Sequence, residues 1–295
     1  MLPEDVALPP SFAALYPFSG RRSFDTGAGR MHYLDEGSGH PVVMVHGNPS
    51  WSFLYRDLVL QLRGTHRCIV PDHLGCGLSD NPDLGQFPYT LASHADNLQR
   101  LLDAAGVETF DLVVHDWGGA IGMAVAIRCP ERVRRVVVTN TAAFLSDRIP
   151  FRIAVCRWPV IGRFLVCQLN GFVRAATRMT TVRPLSPALR AAYLFPSRTL
   201  ERRRAVLRFV LDIPMEKDHP TRPVLTETSQ RLNLLKEKPF LLCWGARDWC
   251  FNDTFLDEWR RRFPNADVQV EAEAGHFLFE DKGDVFLPRV AAFLQ

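Results

Sequence analysis

Six short aliphatic runs constrain this chain most: Val42–Val45, Cys68–Val70, Leu112–Val114, Val133–Thr139, Phe240–Cys243 and Val268–Glu271. Read as continuous rather than alternating, they suit strands buried on both faces of a parallel sheet. Parallel neighbours need long crossovers, and the intervening sequence supplies helical patterns at Ser52–Leu62, Leu91–Ala105, Gly119–Arg128, Thr254–Phe263 and Asp284–Leu294. Strand–helix alternation of this kind gives a doubly wound sheet. Two further strands, around Arg22–Asp25 and Met31–Asp35, read as a hairpin turning at Gly27–Gly29. A chain of 295 residues that is 47 % hydrophobic can bury one large core and carry an insertion.

The alternation breaks once, from about Ala142 to Pro223, where helical patterns rich in Arg and Pro replace buried strands. Between Pro150 and Leu225 stand 13 Arg and one Lys against two Glu and two Asp, a net of +10. The whole chain carries only +3, so the remainder is about −7. We read residues 1–141 and 226–295 as the core and 142–225 as a basic helical cap inserted after the sixth strand. The triplets Arg202–Arg204 and Arg260–Arg262 read as solvated helix faces.

The strongest chemical signal is Leu112-Val113-Val114-His115-Asp116-Trp117-Gly118-Gly119. A strand ends, a sharp turn follows, and glycines open a helix. Hydrolases place a nucleophile at such a corner, usually serine; here the residue is Asp116. The helix N-terminus favours an anion there and is expected to keep the carboxylate ionised. An Asp at this place also serves as an ordinary helix N-cap. Upstream, His46-Gly47-Asn48-Pro49 follows another strand. It reads either as a tight turn or as a loop whose N–H groups, with that of Trp117, hold an anion.

A covalent intermediate on Asp116 needs a base if water is to release it. Glu273-Ala274-Gly275-His276-Phe277 follows the last strand, which makes His276 the candidate among nine histidines. His115 reads as structural, as do His32, His40, His66, His73, His94 and His219 where they are not on the surface. Asp248, after the penultimate strand, stands where an acid would fix the His276 tautomer, though Asp also forms turns. The alternative acid position, near Val138-Thr139-Asn140, has no carboxylate until Asp147. Asn48 and Trp117 carry N–H donors suited to a departing anion, or else pack in the core.

Other classes are disfavoured. There is no Gly-x-Ser-x-Gly, dinucleotide fingerprint, phosphate loop or metal-spaced His cluster, so no cofactor and no metal is implied. The small net charge argues against nucleic acid. Seven cysteines without a CxxC pair suggest free thiols in a reducing compartment. Glu4 and Asp5 near the start do not suit a signal peptide. With no long apolar stretch, a cytoplasmic location is expected.

Taken together, His46-Gly47-Asn48-Pro49-Ser50-Trp51, Asp72-His73-Leu74-Gly75-Cys76-Gly77-Leu78-Ser79-Asp80 and His115-Asp116-Trp117-Gly118-Gly119 resemble the haloalkane dehalogenase family of α/β-hydrolase-fold enzymes. The resemblance spans nearly the whole chain. It implies Asp116 as nucleophile, His276 as base, Asp248 as acid, and Asn48 and Trp117 as leaving-group donors. Within that group, Pro9–Phe18 and Trp51–Arg56 look like the β-lactone decarboxylases of bacterial long-chain olefin biosynthesis. Those enzymes turn a cis-3,4-dialkyl-oxetan-2-one into a cis-alkene and carbon dioxide, and they can assemble with partners such as a β-lactone synthetase.

Two routes remain open on sequence: attack of Asp116 on the alkyl carbon with anti elimination, or attack on the lactone carbonyl. The apolar stretch from Phe151–Val155 through Phe164–Cys167 suits either a lid over long alkyl channels or ordinary cap packing. The basic cap surface, unexplained by a neutral lactone, suits an acidic partner or an anionic membrane. Haloalkane hydrolysis is the main alternative activity. An epoxide hydrolase would want two cap tyrosines, and only Tyr193 stands there. A fluoroacetate dehalogenase would carry Arg where Trp117 stands. A non-catalytic scaffold is disfavoured because Asp116, Asp248 and His276 are all present.

Overall fold

The computed structural model describes residues 8–295. Glu4 and Asp5, which argued against a leader peptide, lie outside the described residues. The strands are β1 (Arg21–Asp25), β2 (Arg30–Glu36), β3 (His40–Val45), β4 (His66–Pro71), β5 (Phe110–Asp116), β6 (Val133–Thr141), β7 (Phe240–Gly245) and β8 (Asp267–Glu271). They form one eight-stranded sheet in the order β1-β2-β4-β3-β5-β6-β7-β8. The β1–β2 and β2–β4 pairs are antiparallel and all later pairs are parallel.

Burial on both faces follows from the aliphatic runs. Val43, Val45, Leu112, Val114 and Val138 face a core completed by helices Leu91–Ala104 and Trp117–Ala126. Their neighbours Val42, Met44, Val113, Val137 and Leu241 face the opposite core, with helices Arg56–Leu62 and Leu278–Leu294. Successive side chains of one strand therefore fill two hydrophobic layers.

The edge strand β8 departs from the expectation of two-sided burial, because Val268 and Val270 are each 38 % exposed. Only β7 pairs with it. Its Val-Gln-Val-Glu sequence alternates, but Gln269 and Glu271 are the half-buried positions and the two valines the exposed ones, the reverse of a strand with one apolar face buried.

Between β6 and β7 lie the cap helices Phe151–Arg157, Gly171–Met179, Pro187–Leu194, Leu200–Leu211 and Arg222–Arg231. Ile153, Val166, Val173 and Val210 give the cap its own apolar centre. Helix Arg222–Arg231 runs through residue 225, and Leu225 already packs in the core of the sheet domain. The passage from cap to core thus falls inside a helix.

Two arginines contradict the expectation of a solvated face at Arg202–Arg204. Arg202 donates to the Gly77 carbonyl, and Arg203 donates to the carbonyls of Cys167, Gln168, Ser197 and Arg198. A guanidinium with five donors can satisfy carbonyls left over at turn ends, which a solvated face would not require. Arg204 remains exposed. In the second triplet, Arg260 and Arg261 pair with Asp257 and Glu258 on the surface, whereas Arg262 also bonds the Ser229 carbonyl. All seven cysteines are free thiols, six of them buried. Among the described residues no helix is long and apolar enough to cross a membrane.

Candidate active site

The corner at Asp116 has φ 52° and ψ −128°, a conformation that costs a non-glycine residue on the order of 1–3 kcal/mol. Its surroundings hold it there. Thr141 donates its hydroxyl to the Asp116 carbonyl. A methyl group on Gly118 would sit 1.9 Å from the Val45 carbonyl oxygen, and one on Gly119 would sit 1.9 Å from Thr141 Oγ1. Only hydrogen at these positions lets the helix begin directly behind the strand.

The carboxylate is just as confined. The Asn48 N–H donates to Asp116 Oδ1 at 2.7 Å, and the Trp117 N–H also reaches the carboxylate. Oδ2 lies 3.6 Å from His276 Nε2. Burial is the largest influence on this group and pushes its pKa up; His276 and the two N–H groups oppose the shift, and Asp248 adds to it. The net direction is upward from the ordinary carboxylate value. Amide dipoles offset only part of the lost hydration.

His276 lies on the loop after β8, and its Nδ1–H donates to Asp248 Oδ2 at 2.7 Å. Asp248 follows β7, and its other oxygen accepts the Cys250 N–H at 2.7 Å. Burial alone would lower the imidazole pKa, but Asp248 and then Asp116 outweigh it, so His276 is raised. The loop is pinned behind the ring. His115 Nε2–H donates to the His276 carbonyl at 2.9 Å, and burial holds His115 well below the usual histidine range, hence neutral. This is the structural part expected of His115.

Three supporting groups were not foreseen from sequence. Asp281 accepts N–H bonds from Gly275, Val182 and Arg183, tying the His276 loop to the cap. Asn140 stands at the alternative acid position and bonds both backbone groups of Gly245 at the end of β7. Asp72 accepts from the N–H groups of Ser52 and Leu78 and contacts His32 Nδ1. Next to it, the His73 N–H donates to His46 Nε2, which steadies the loop presenting Asn48. No local sequence pattern announces such long-range buttresses.

Asp116, His276, Asn48 and Trp117 converge on a cavity of about 410 Å³ between core and cap. Its cap wall is largely apolar, with Ile149, Ile153, Phe172, Met179 and Val210 among the lining residues. The Trp117 indole N–H finds no partner among the described residues. The Asn48 amide N–H₂ lies 3.3 Å from the Val206 carbonyl of the cap, and its oxygen has no partner. The cap stretch considered as a lid divides into three parts. Ile153, Cys156 and Leu165 line the cavity, Val166 and Cys167 fill the cap, and Phe151 and Phe164 face solvent at 72 % and 53 % exposure. Tyr193 lies away from this cavity and donates to Glu280 at 2.6 Å.

Known proteins resemble the chain throughout. The α/β-hydrolase fold family pattern matches residues 40–283. A cis-3-alkyl-4-alkyloxetan-2-one decarboxylase of Shewanella oneidensis is 44 % identical, over 95 % of this chain and 89 % of that protein. One of the same name from Xanthomonas campestris is 40 % identical over 90 % and 92 %. Haloalkane dehalogenase 2 of Mycobacterium tuberculosis is 36 % identical over 94 % of each. Among solved structures, a haloalkane dehalogenase of Agrobacterium tumefaciens has TM-score 0.83 at 28 % identity, covering 96 % of this chain and 98 % of that one. The chain belongs to the α/β-hydrolase fold family, in the branch shared by haloalkane dehalogenases and cis-3-alkyl-4-alkyloxetan-2-one decarboxylases.

Proposed function

We propose that this protein is a β-lactone decarboxylase that converts a cis-3,4-dialkyl-oxetan-2-one to a cis-alkene and carbon dioxide. One observation carries the chemistry: a buried carboxylate, Asp116, held by the Asn48 N–H at 2.7 Å, opens onto an apolar cavity beside a His276–Asp248 pair. The 44 % and 40 % identities to two decarboxylases, above the 36 % to a dehalogenase, favour the lactone as substrate.

In this reading Asp116 displaces the ring oxygen at the alkyl carbon with inversion, forming an aspartyl ester and a free carboxylate. The bond to that carboxylate then breaks, its electron pair forms the alkene, and the ester oxygen leaves as the Asp116 carboxylate. Inversion followed by anti elimination is net syn, so cis geometry is kept. The Trp117 indole N–H and the Asn48 amide hold the released carboxylate. Asp248 raises the His276 pKa and so favours an imidazolium, which balances the two carboxylates without deprotonating water. Residues 142–225 serve as the cap over the alkyl arms, and residues 1–141 and 226–295 carry the chemistry. Each buried CH₂ contributes about 0.8 kcal/mol, so long arms dominate affinity.

The same reading places the protein in the cytoplasm. Its partners are other enzymes of hydrocarbon biosynthesis, such as a β-lactone synthetase, and a membrane surface met by the basic cap. Gas chromatography of products from a synthetic cis-β-lactone tests the activity. A cis-alkene absent with Asp116→Ala supports it. Halide release from 1-bromobutane with no alkene from the lactone would establish haloalkane hydrolysis instead, since the same residues serve that reaction. Tyr193, occupied by Glu280, leaves no cap tyrosine free to protonate an epoxide.

A further inference from the structure

Exposed apolar side chains are concentrated in one part of the cap. Of the twelve large ones among the described residues, six lie between Phe151 and Leu169: Phe151, Trp158, Val160, Ile161, Phe164 and Leu169. Val160 is the extreme at 81 % exposure. Its φ of 65° and ψ of −59° are those of the strained γ-turn, and the Ile161 N–H closes that turn on the Pro159 carbonyl at 2.7 Å. A β-branched residue is costly at positive φ, and here the strain presents an apolar side chain to water.

The segment is strongly basic, with Asp147 just before it and Glu216 against Arg157 as its acidic neighbours. From Arg148 to Thr180 the sequence has six arginines and no Asp or Glu. Arg157 is paired with Glu216, while the exposed Arg148, Arg163 and Arg174 make no ion pair among the described residues. The patch also borders the cavity, since Arg148, Ile149, Pro150, Arg152 and Leu165 line it. The exposed Arg152 sits at that border, 5.8 Å from the Trp249 ring centre.

We propose that the cap segment Phe151–Leu169 docks the protein on an anionic lipid bilayer, with the cavity mouth facing the lipid. Trp158, Val160 and Phe164 enter the interfacial layer, and Arg148, Arg163 and Arg174 meet lipid phosphates. Aromatic and aliphatic tips beside unpaired arginines are the composition such surfaces use. A second copy of this chain fits poorly, because an isologous contact would bring two arginine-rich patches together. The delivery role rests on the lactone reading, as a dialkyl lactone partitions into lipid and would enter the cavity without crossing water. The docking rests on the membrane contact proposed for the basic cap, but not on which substrate the site takes.

Full-length protein is sedimented with vesicles of phosphatidylcholine alone or mixed with phosphatidylglycerol, and turnover of a short-chain, water-soluble cis-β-lactone is measured separately. The wild type is expected to bind the anionic vesicles, more weakly as salt rises, and to bind neutral vesicles poorly. Val160→Asp with Phe164→Asp should weaken binding about tenfold or more, from lost apolar insertion. Arg163→Gln and Arg174→Gln should each cost roughly fivefold at low salt. None of these residues lines the cavity, so short-lactone turnover should stay at the wild-type level, which also certifies folding. The proposal is overturned if the wild type does not bind anionic vesicles, or if the Asp double variant binds them as well as the wild type does. It is equally overturned if the patch instead mediates a dimer or retains a partner enzyme while vesicle binding is absent. Loss of lactone turnover with vesicle binding intact would reject the decarboxylase reading and leave docking standing.

Discussion

Replacing Gly47 by alanine should disable the proposed nucleophile by forcing Asp116 and the loop that carries the Asn48 N–H apart. The added methyl would lie 2.0 Å from Asp116 Oδ1 and 2.4 Å from Asp116 Cβ. Ordinary contact needs about 3.5 Å, so the carboxylate must retreat by roughly 1.5 Å. It has little room to do so: Oδ1 is bonded to the Asn48 N–H at 2.7 Å and Oδ2 already lies 3.6 Å from His276. A misplacement of about 1 Å can cost on the order of 100-fold in rate, so kcat should fall at least about 100-fold, or some 2.7 kcal/mol. Overpacking should lower stability by about 1–3 kcal/mol, leaving the protein folded at room temperature. Gly64→Ala is the control, because its methyl would meet nothing within 4 Å. Alkene formation under saturating lactone, with thermal unfolding of each variant, provides the assay. A folded Gly47→Ala protein with wild-type kcat would refute the claim that the Asp116 carboxylate is the attacking group.

Three other perturbations probe the chemistry and the framework. In His276→Ala, mass spectrometry should find no substrate adduct building up on Asp116, with reduced alkene formation persisting; a stable adduct would mean that water completes the cycle. Burial holds the Asp212 carboxyl up at about 6, against an ordinary 3.8, while it accepts the Leu91 N–H at 2.8 Å. A raised acid stabilises the fold below its ordinary value and loses that contribution as pH rises through about 6. Asp212→Asn should therefore raise Tm above pH 6, by up to about 2–3 kcal/mol in stability, and leave it nearly unchanged below the ordinary value. An equal gain at both ends of the range would defeat this account. Arg56 is buried and bonds Glu280 at 2.9 Å, with the Tyr193 hydroxyl on the same carboxylate at 2.6 Å. Arg56→Leu leaves that carboxylate buried and uncompensated and should cost about 3–5 kcal/mol in urea unfolding; a loss under 1 kcal/mol would show the pair to be solvated.

The sequence by itself determined most of the strands, the chain order of the candidate site residues and the corner at Asp116. Those features rest on local rules: aliphatic runs cannot be left in water, and a strand meeting a helix at once demands Gly118 and Gly119. The Val-Gln-Val-Glu run of β8 marks a strand, but that its two valines face water was set by its place at the sheet edge. Tertiary structure alone decided the rest. That His276 stands 3.6 Å from Asp116 depends on Asp281, Asn140 and His115, which reach it from distant parts of the chain. Whether an arginine is solvated or bonded to carbonyls, as Arg203 is, depends on which turn ends come near it. Spacing along a chain fixes which residues share an element, but only packing between elements fixes which polar groups lose water and must find partners.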